Sequence, residues 1–382
     1  MKHPVSWDTD LLFAPPQTWP ADCCPAEGVS ELFYAGLPWR GRPTRVYAYL
    51  GLPREASTKP VPAMVLVHGG GGTAFDEWVR EWTRRGYAAI AMDTCGCTAG
   101  GEHLKRPRHE HGGPPGCGGF REMDRPVADQ WMYHAVADIV LANSLLRSLP
   151  QVDPQRIGLC GISWGAILGC IVAGIDTRFV FAIPVYGCGY FLENEYAWVP
   201  QVGPDLVDLR PRWARTWDPA HWLGDVTMPT LWLTGISDFA FSLPQVQKSY
   251  RLVRGPRTLS VHKDMVHGHE PVFVQPEVYA YADHHLRGGP PMATVTGSGT
   301  ADGTAWVTFR SCRPVARAEL LYTLDGGPWP PRKWSSTPAQ LDDSRASAVV
   351  PMGATAWQIN LFDEHALVVS SEHAEASIPG SP

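Results

Sequence analysis

Ser163 stands between two glycines in Gly161-Ile162-Ser163-Trp164-Gly165. An apolar run, Arg156-Ile157-Gly158-Leu159-Cys160, precedes it, and a helical-looking segment, Ala166 to Gly174, follows. A serine at a tight strand-to-helix corner is lifted clear of a sheet as a nucleophile, and only small residues fit beside it. The following helix aims its amide N–H groups, with their partial positive charge, at the same point. Such residues could equally make an ordinary glycine-rich turn, so the reading depends on partners elsewhere in the chain.

A serine hydroxyl needs a base, and the base needs an orienting acid. At this kind of corner the acid follows the serine in sequence and the base follows the acid. Asp238 sits just beyond the apolar run Leu231-Trp232-Leu233-Thr234-Gly235 and is the candidate acid, although a Gly-x-Ser-Asp turn is the plainer use for it. Asp225 lies before that run and suits the role less. In Val261-His262-Lys263-Asp264-Met265-Val266-His267-Gly268-His269-Glu270 two histidines could be the base. His267, nearer the strand end, is preferred, with His269 as the alternative base. An anionic tetrahedral intermediate needs two N–H donors. The run Val67-His68-Gly69-Gly70-Gly71-Gly72 would supply one, Gly70 or else Gly71, and the amide of Trp164 the other. No phosphate-binding lysine follows these glycines.

His103, His109 and His111 with Cys95, Cys97 and Cys117 do not have zinc-site spacing, and neither a metal nor a cofactor is expected. A formal charge of -6 and a pI near 6.1 argue against a nucleic-acid partner. No run of about 18 apolar residues suggests a membrane span. The nine cysteines lack disulfide-scaffold spacing, and those in apolar runs, Cys160 and Cys170, read as buried free thiols. With no signal-like apolar stretch near Met1, a cytoplasmic setting is expected, or secretion if a signal peptide has been removed. Oligomeric state is not legible.

The elements that must hold these residues can be read from periodicity. Residues 1–28 read as an irregular leader, and 31–34 with 44–50 as a hairpin around a turn within 35–42. Strands are then expected at 63–67, 87–92, 156–160, 179–185, 230–234 and 258–262, with helices at 74–85, 127–149, 166–174 and 276–286. This alternation predicts an α/β fold, a doubly wound, mostly parallel sheet. Two inserts, 94–126 and 187–227, interrupt it; the second carries Tyr190, Phe191, Tyr196, Trp198, Trp213, Trp217 and Trp222 and is expected to shape a pocket. From Ala293 only short strands are visible, among them 306–309, 318–323, 348–350 and 356–361, as in a small all-β sandwich of immunoglobulin or fibronectin III type. The division expected is a catalytic unit over 1–290 and an accessory one over 291–382.

The combination of His68-Gly69-Gly70-Gly71, the Ser163 corner, Asp238 and His267 resembles the α/β-hydrolase superfamily. Within it, residues 30–290 resemble the acetyl xylan esterase, cephalosporin C deacetylase and dienelactone hydrolase branch. Leu259 to His267 resembles the strand and loop that deliver the base in the deacetylases, and Val185-Tyr186-Gly187-Cys188-Gly189 recurs in similar bacterial hydrolases. The second histidine of His-Gly-His-Glu departs from that pattern. The resemblance implies a serine esterase acting on short-acyl esters, acetylated carbohydrate among them. A prolyl-oligopeptidase-type peptidase is the alternative, but the leader is far shorter than the propeller such enzymes carry. Dienelactone hydrolases place cysteine where Ser163 stands. A non-catalytic carbohydrate-binding or adhesion protein is the alternative from outside enzymology.

Overall fold

A computed structural model describes residues 3–116, 119–193 and 208–376. Cys117, Tyr196 and Trp198 lie outside the described residues.

The main sheet has nine strands in the order β1-β2-β3-β5-β4-β6-β7-β8-β9. They are β1 (Thr18–Pro20), β2 (Ser30–Trp39), β3 (Arg42–Gly51), β4 (Val61–Val67), β5 (Ala88–Met92), β6 (Val152–Ile162), β7 (Ala182–Val185), β8 (Thr230–Gly235) and β9 (Arg257–His262). From β5 through β9 every pairing is parallel, and β1, β2 and β3 add an antiparallel flank. β4 and β5 are buried along their whole length, which is why they read as unbroken apolar runs.

Helices cover both faces. The described helices are α1 (Thr9–Phe13), α2 (Asp76–Arg84), α3 (Trp131–Ser148), α4 (Trp164–Ile175), α5 (Arg210–Trp217), α6 (Ala220–Leu223), α7 (Leu243–Leu252), α8 (Glu270–Phe273) and α9 (Pro276–Arg287). The apolar sides of α3, α4 and α7 share one core with one face of the sheet, and those of α2 and α9 share a second core with the other.

Three expectations need correction. The 1–28 leader is not irregular throughout: Asp8 caps α1, Leu12 is buried, and Ser144 Oγ donates to the Leu12 carbonyl at 2.6 Å. The hairpin strands run through the expected turn, which shrinks to Arg40 and Gly41, both at positive φ. Gly36 and Pro38 mark a register irregularity there, and a Cβ at Gly36 would meet Thr44 Oγ1 at 2.7 Å. Cys95 is disulfide-bonded, so free thiols are not the rule throughout, although Cys160 and Cys170 are buried and free.

Beyond α9 two antiparallel sheets face each other. One is β10 (Thr294–Ala301), β11 (Thr304–Arg310), β15 (Arg345–Val349) and β14 (Gln340–Asp342). The other is β13 (Ser335–Pro338), β12 (Val315–Thr323), β16 (Ala356–Asp363) and β17 (Val368–Ser370), with β18 (Ala374–Glu375) on β16. Val307, Phe309, Leu320, Ile359 and Leu361 form the core between them.

The β13-β12-β16-β17 sheet covers the open β9 edge of the nine-stranded main sheet. Val261 of β9 has its N–H accepted by Ser370 Oγ at 2.9 Å and its carbonyl bonded by Asn360 Nδ2 at 2.8 Å. Buried Glu277 on α9 accepts from the Val368 amide at 2.8 Å. Unpaired edge groups of β9 are thereby satisfied by side chains, which removes a site for edge-to-edge pairing.

Candidate active site

Ser163 lies between β6 and α4 with φ 56° and ψ -116°, a backbone state that costs a non-glycine residue about 1–3 kcal/mol. The surroundings hold it there. Its N–H bonds the Val185 carbonyl at 2.9 Å, and its carbonyl takes the amides of Ala166 and Ile167 at 2.9 and 3.1 Å. The flanking glycines are required by space: a Cβ on Gly161 would lie 2.2 Å from the Gly165 carbonyl oxygen, and one on Gly165 would lie 2.3 Å from that of Val67.

The strand ends converge on this corner. His267, on the loop after β9, accepts from Ser163 Oγ through Nε2 at 2.9 Å. Its Nδ1–H donates to Asp238 Oδ2 at 2.7 Å. Asp238, beyond β8, is buried, and its other oxygen accepts the amides of Ala240 and Phe241 at 2.9 and 2.8 Å. Three charge-assisted bonds offset the cost of burying that carboxylate and fix its direction. Asp238 therefore closes its own turn and still offers one oxygen to the imidazole, so the turn role and the orienting role coexist. Tyr186, after β7, lies against His267 with ring centroids 4.3 Å apart, and its hydroxyl donates to the Gly268 carbonyl. Phe239 covers another side of the imidazole at 4.9 Å and is 42% exposed, a wall open to solvent.

His269 is not placed against Ser163 or Asp238. Its Nε2 accepts the amide of Gly69 at 2.9 Å. Burial, with His68 close by, pushes its pKa down to about 3. His262 bonds Ser260 Oγ and stands beside Glu277, away from the serine. Asp225 pairs with His3 and Arg254 at the surface.

The glycine run lies alongside. A Cβ on Gly69 would come 3.0 Å from Ser163 Cβ. The Gly72 amide bonds the Gly69 carbonyl at 3.1 Å, whereas the Gly70 amide bonds nothing among the described residues. Gly71 has φ 71°, and His103 and Leu104 of the 94–126 insert fill the space where its Cβ would stand. Trp164 opens α4 and so carries its amide at the helix N-terminus beside the serine.

The ring of Trp164 is largely enclosed by described residues. It is buried among Phe120, Trp131, Phe191 and Trp213 at centroid distances of 5.3–6.3 Å. Phe191, Trp213, Trp217 and Trp222 are likewise fully buried, so the aromatics described in the 187–227 insert are mostly its core. Large rings in a polar, proline-rich segment anchor it by the area they bury. Asp218 organises the insert by accepting the amides of Tyr190, Phe191 and Ala220, each at 2.9 Å.

Among the described residues, donor atoms of His68, Asp93 and Cys95 lie within 4.8 Å of one another. They do not form a ligand set. Both ring nitrogens of His68 are engaged, by the Gly69 carbonyl and by Thr94, and Cys95 is in a disulfide. His109 instead packs on Phe33 at 4.8 Å, and burial beside Arg108 lowers its pKa to about 4.

Residues 27–203 match the family model for acetyl xylan esterase (AXE1). Over that stretch the chain is similar to acetyl xylan esterases, and its sheet and helices have the α/β-hydrolase fold. Acetyl xylan esterase from Paenibacillus sp. R4 superposes with a TM-score of 0.56 at 20% identity, covering 73% of this chain and 92% of that one. Acetyl xylan esterase 1 from Thermoanaerobacterium sp. JW/SL YS485 gives 0.52 at 17% identity over 70% and 90%. Pyrococcus horikoshii acylaminoacyl peptidase gives 0.51 at 16% identity over 70% of this chain and 43% of the peptidase. At these identities the structural likeness is one of fold. No curated protein sequence matches the chain. At the level these comparisons reach, the hydrolase is a carboxylic ester hydrolase of serine esterase type.

Sequence reasoning did not assign Tyr186, and it left the role of His269 open. Tyr186 follows a core strand directly, as Ser163 does, and that position is the signal that marks it.

Proposed function

We propose that the hydrolase cleaves short-acyl carboxylic esters, acetylated carbohydrate among them, with Ser163, His267 and Asp238 as its triad. The observation that carries this is the unbroken hydrogen-bond chain Ser163–His267–Asp238 at the ends of β6, β9 and β8. Ser163 Oγ attacks the ester carbonyl as its proton passes to His267 Nε2. Asp238 keeps the Nδ1–H tautomer and stabilises the imidazolium. The amides of Gly70 and Trp164 receive the developing oxyanion. His267 then protonates the departing alcohol, and a water activated by the same nitrogen releases the acid from the acyl-enzyme.

The acetyl xylan esterase family match supports acetyl on a sugar. The test is a hydrolysis panel of p-nitrophenyl esters of increasing acyl length, acetylated xylan and aminoacyl anilides. Acetate esters are expected to turn over fastest. Anilides cleaved faster than esters would replace this reading with a peptidase.

A further inference from the structure

The second histidine of His267-Gly268-His269 has no place in the proposed proton relay, yet it is half-buried, neutral and directed at the glycine loop. Because its Nε2 accepts from the Gly69 amide at 2.9 Å, the ring carries its proton on Nδ1. The other end of Gly69 is held as firmly. Its carbonyl accepts from His68 Nδ1 at 2.7 Å, and His68 Nε2 is fixed in turn by the Thr94 amide at 3.0 Å. Side chains on Gly69 or Gly72 would run into His269, at 3.1 and 2.8 Å from Nε2.

The consequence follows from peptide geometry. In a trans peptide the C=O of one residue and the N–H of the next point in opposite directions. The described chain has no cis peptide bond. With the Gly69 carbonyl turned toward His68, the Gly70 N–H must face the other way. That amide is the one in the run left without a partner among the described residues, and Gly70 is the run's half-exposed glycine.

We infer that His269 is a positioning residue: with His68 it clamps Gly69 at both ends and so aims the Gly70 amide at the ester oxygen. The inference rests on the reading of Ser163 as nucleophile. It gives the two histidines of one loop separate tasks, proton transfer for His267 and donor alignment for His269.

Two variants test it in the full chain. His269→Leu keeps volume and removes the acceptor; His269→Gln restores an acceptor at similar reach. His269→Leu is expected to lower kcat about tenfold to a hundredfold with KM little changed, the scale of a misplaced oxyanion donor. His269→Gln should recover most of that loss. The apparent pKa of the kcat profile should stay as in wild type, because His267 remains the base. Full activity in His269→Leu, or equal loss in both variants, would overturn the clamp. As a direct check, the wild-type protein should show scalar coupling between the Gly69 amide nitrogen and His269 Nε2 by NMR, and its absence would also overturn it. A wild-type protein whose ester hydrolysis survives Ser163→Ala would instead refute the nucleophile assignment.

Discussion

At the residue scale, the site depends on a few side chains whose types chemistry restricts, and these were legible. Ser163, Asp238 and His267 stand where strand ends had placed them in the sequence, and the structure joins them by bonds of 2.9 and 2.7 Å. The choice between His267 and His269 was not legible from spacing. Both lie on one loop two positions apart, and only the path of that loop turns one to Ser163 and the other to Gly69. Asp238→Asn isolates the orienting role. It is expected to lower kcat by about 10⁴-fold with KM little changed, since an amide favours the wrong tautomer of His267. A loss below tenfold would remove Asp238 from the triad.

At the element scale, long apolar strands, the amphipathic α2 and α9 and the almost wholly buried, apolar α3 were visible because burial imposes their pattern. The hydrolase hides other elements where local chemistry, not periodicity, defines them. α7 is announced by a capping box, Ser242 with Gln245, that pairs side chain and backbone at its start. β10 alternates half-buried and exposed positions with two glycines, so it lacks an apolar signal. The β6–α4 corner makes its own prediction. In Gly165→Ala the new methyl must displace the backbone of Val67 and His68, at 2.3 and 2.5 Å from their carbonyl oxygens. A destabilisation of about 1–3 kcal/mol in denaturant unfolding and loss of most activity are expected. α9 supplies a pH test. Burial, with His284 nearby, lowers His285 to about 4 from 6.5, so the fold prefers it neutral. Its contribution is present above about pH 6.5 and is lost as pH falls toward 4. The drop in Tm between about pH 7 and pH 5 should therefore be smaller in His285→Phe than in wild type.

At the scale of the whole molecule, the C-terminal sheets grip the elements that carry the proposed acid and base. Ile236 and Leu243, on either side of Asp238, share a core with Leu321, Trp334 and Ala356. Val261, six residues before His267, is bonded at both backbone groups by Ser370 and Asn360. The small strands were readable in the sequence; their attachment was not, because single polar side chains on an edge strand leave no pattern. Trp334→Ala is expected to cost about 3 kcal/mol in unfolding and to lower kcat in the protein that remains folded. Unchanged kcat there would make these sheets bystanders to catalysis. The central claim is that Ser163 is an activated nucleophile, and covalent labelling of the folded protein by a fluorophosphonate tests it most directly. The account predicts one adduct, mapped by peptide mass spectrometry to Ser163, absent in Ser163→Ala and strongly slowed in His267→Ala. A folded wild-type protein that takes no label, or labelling that persists in Ser163→Ala, would contradict it.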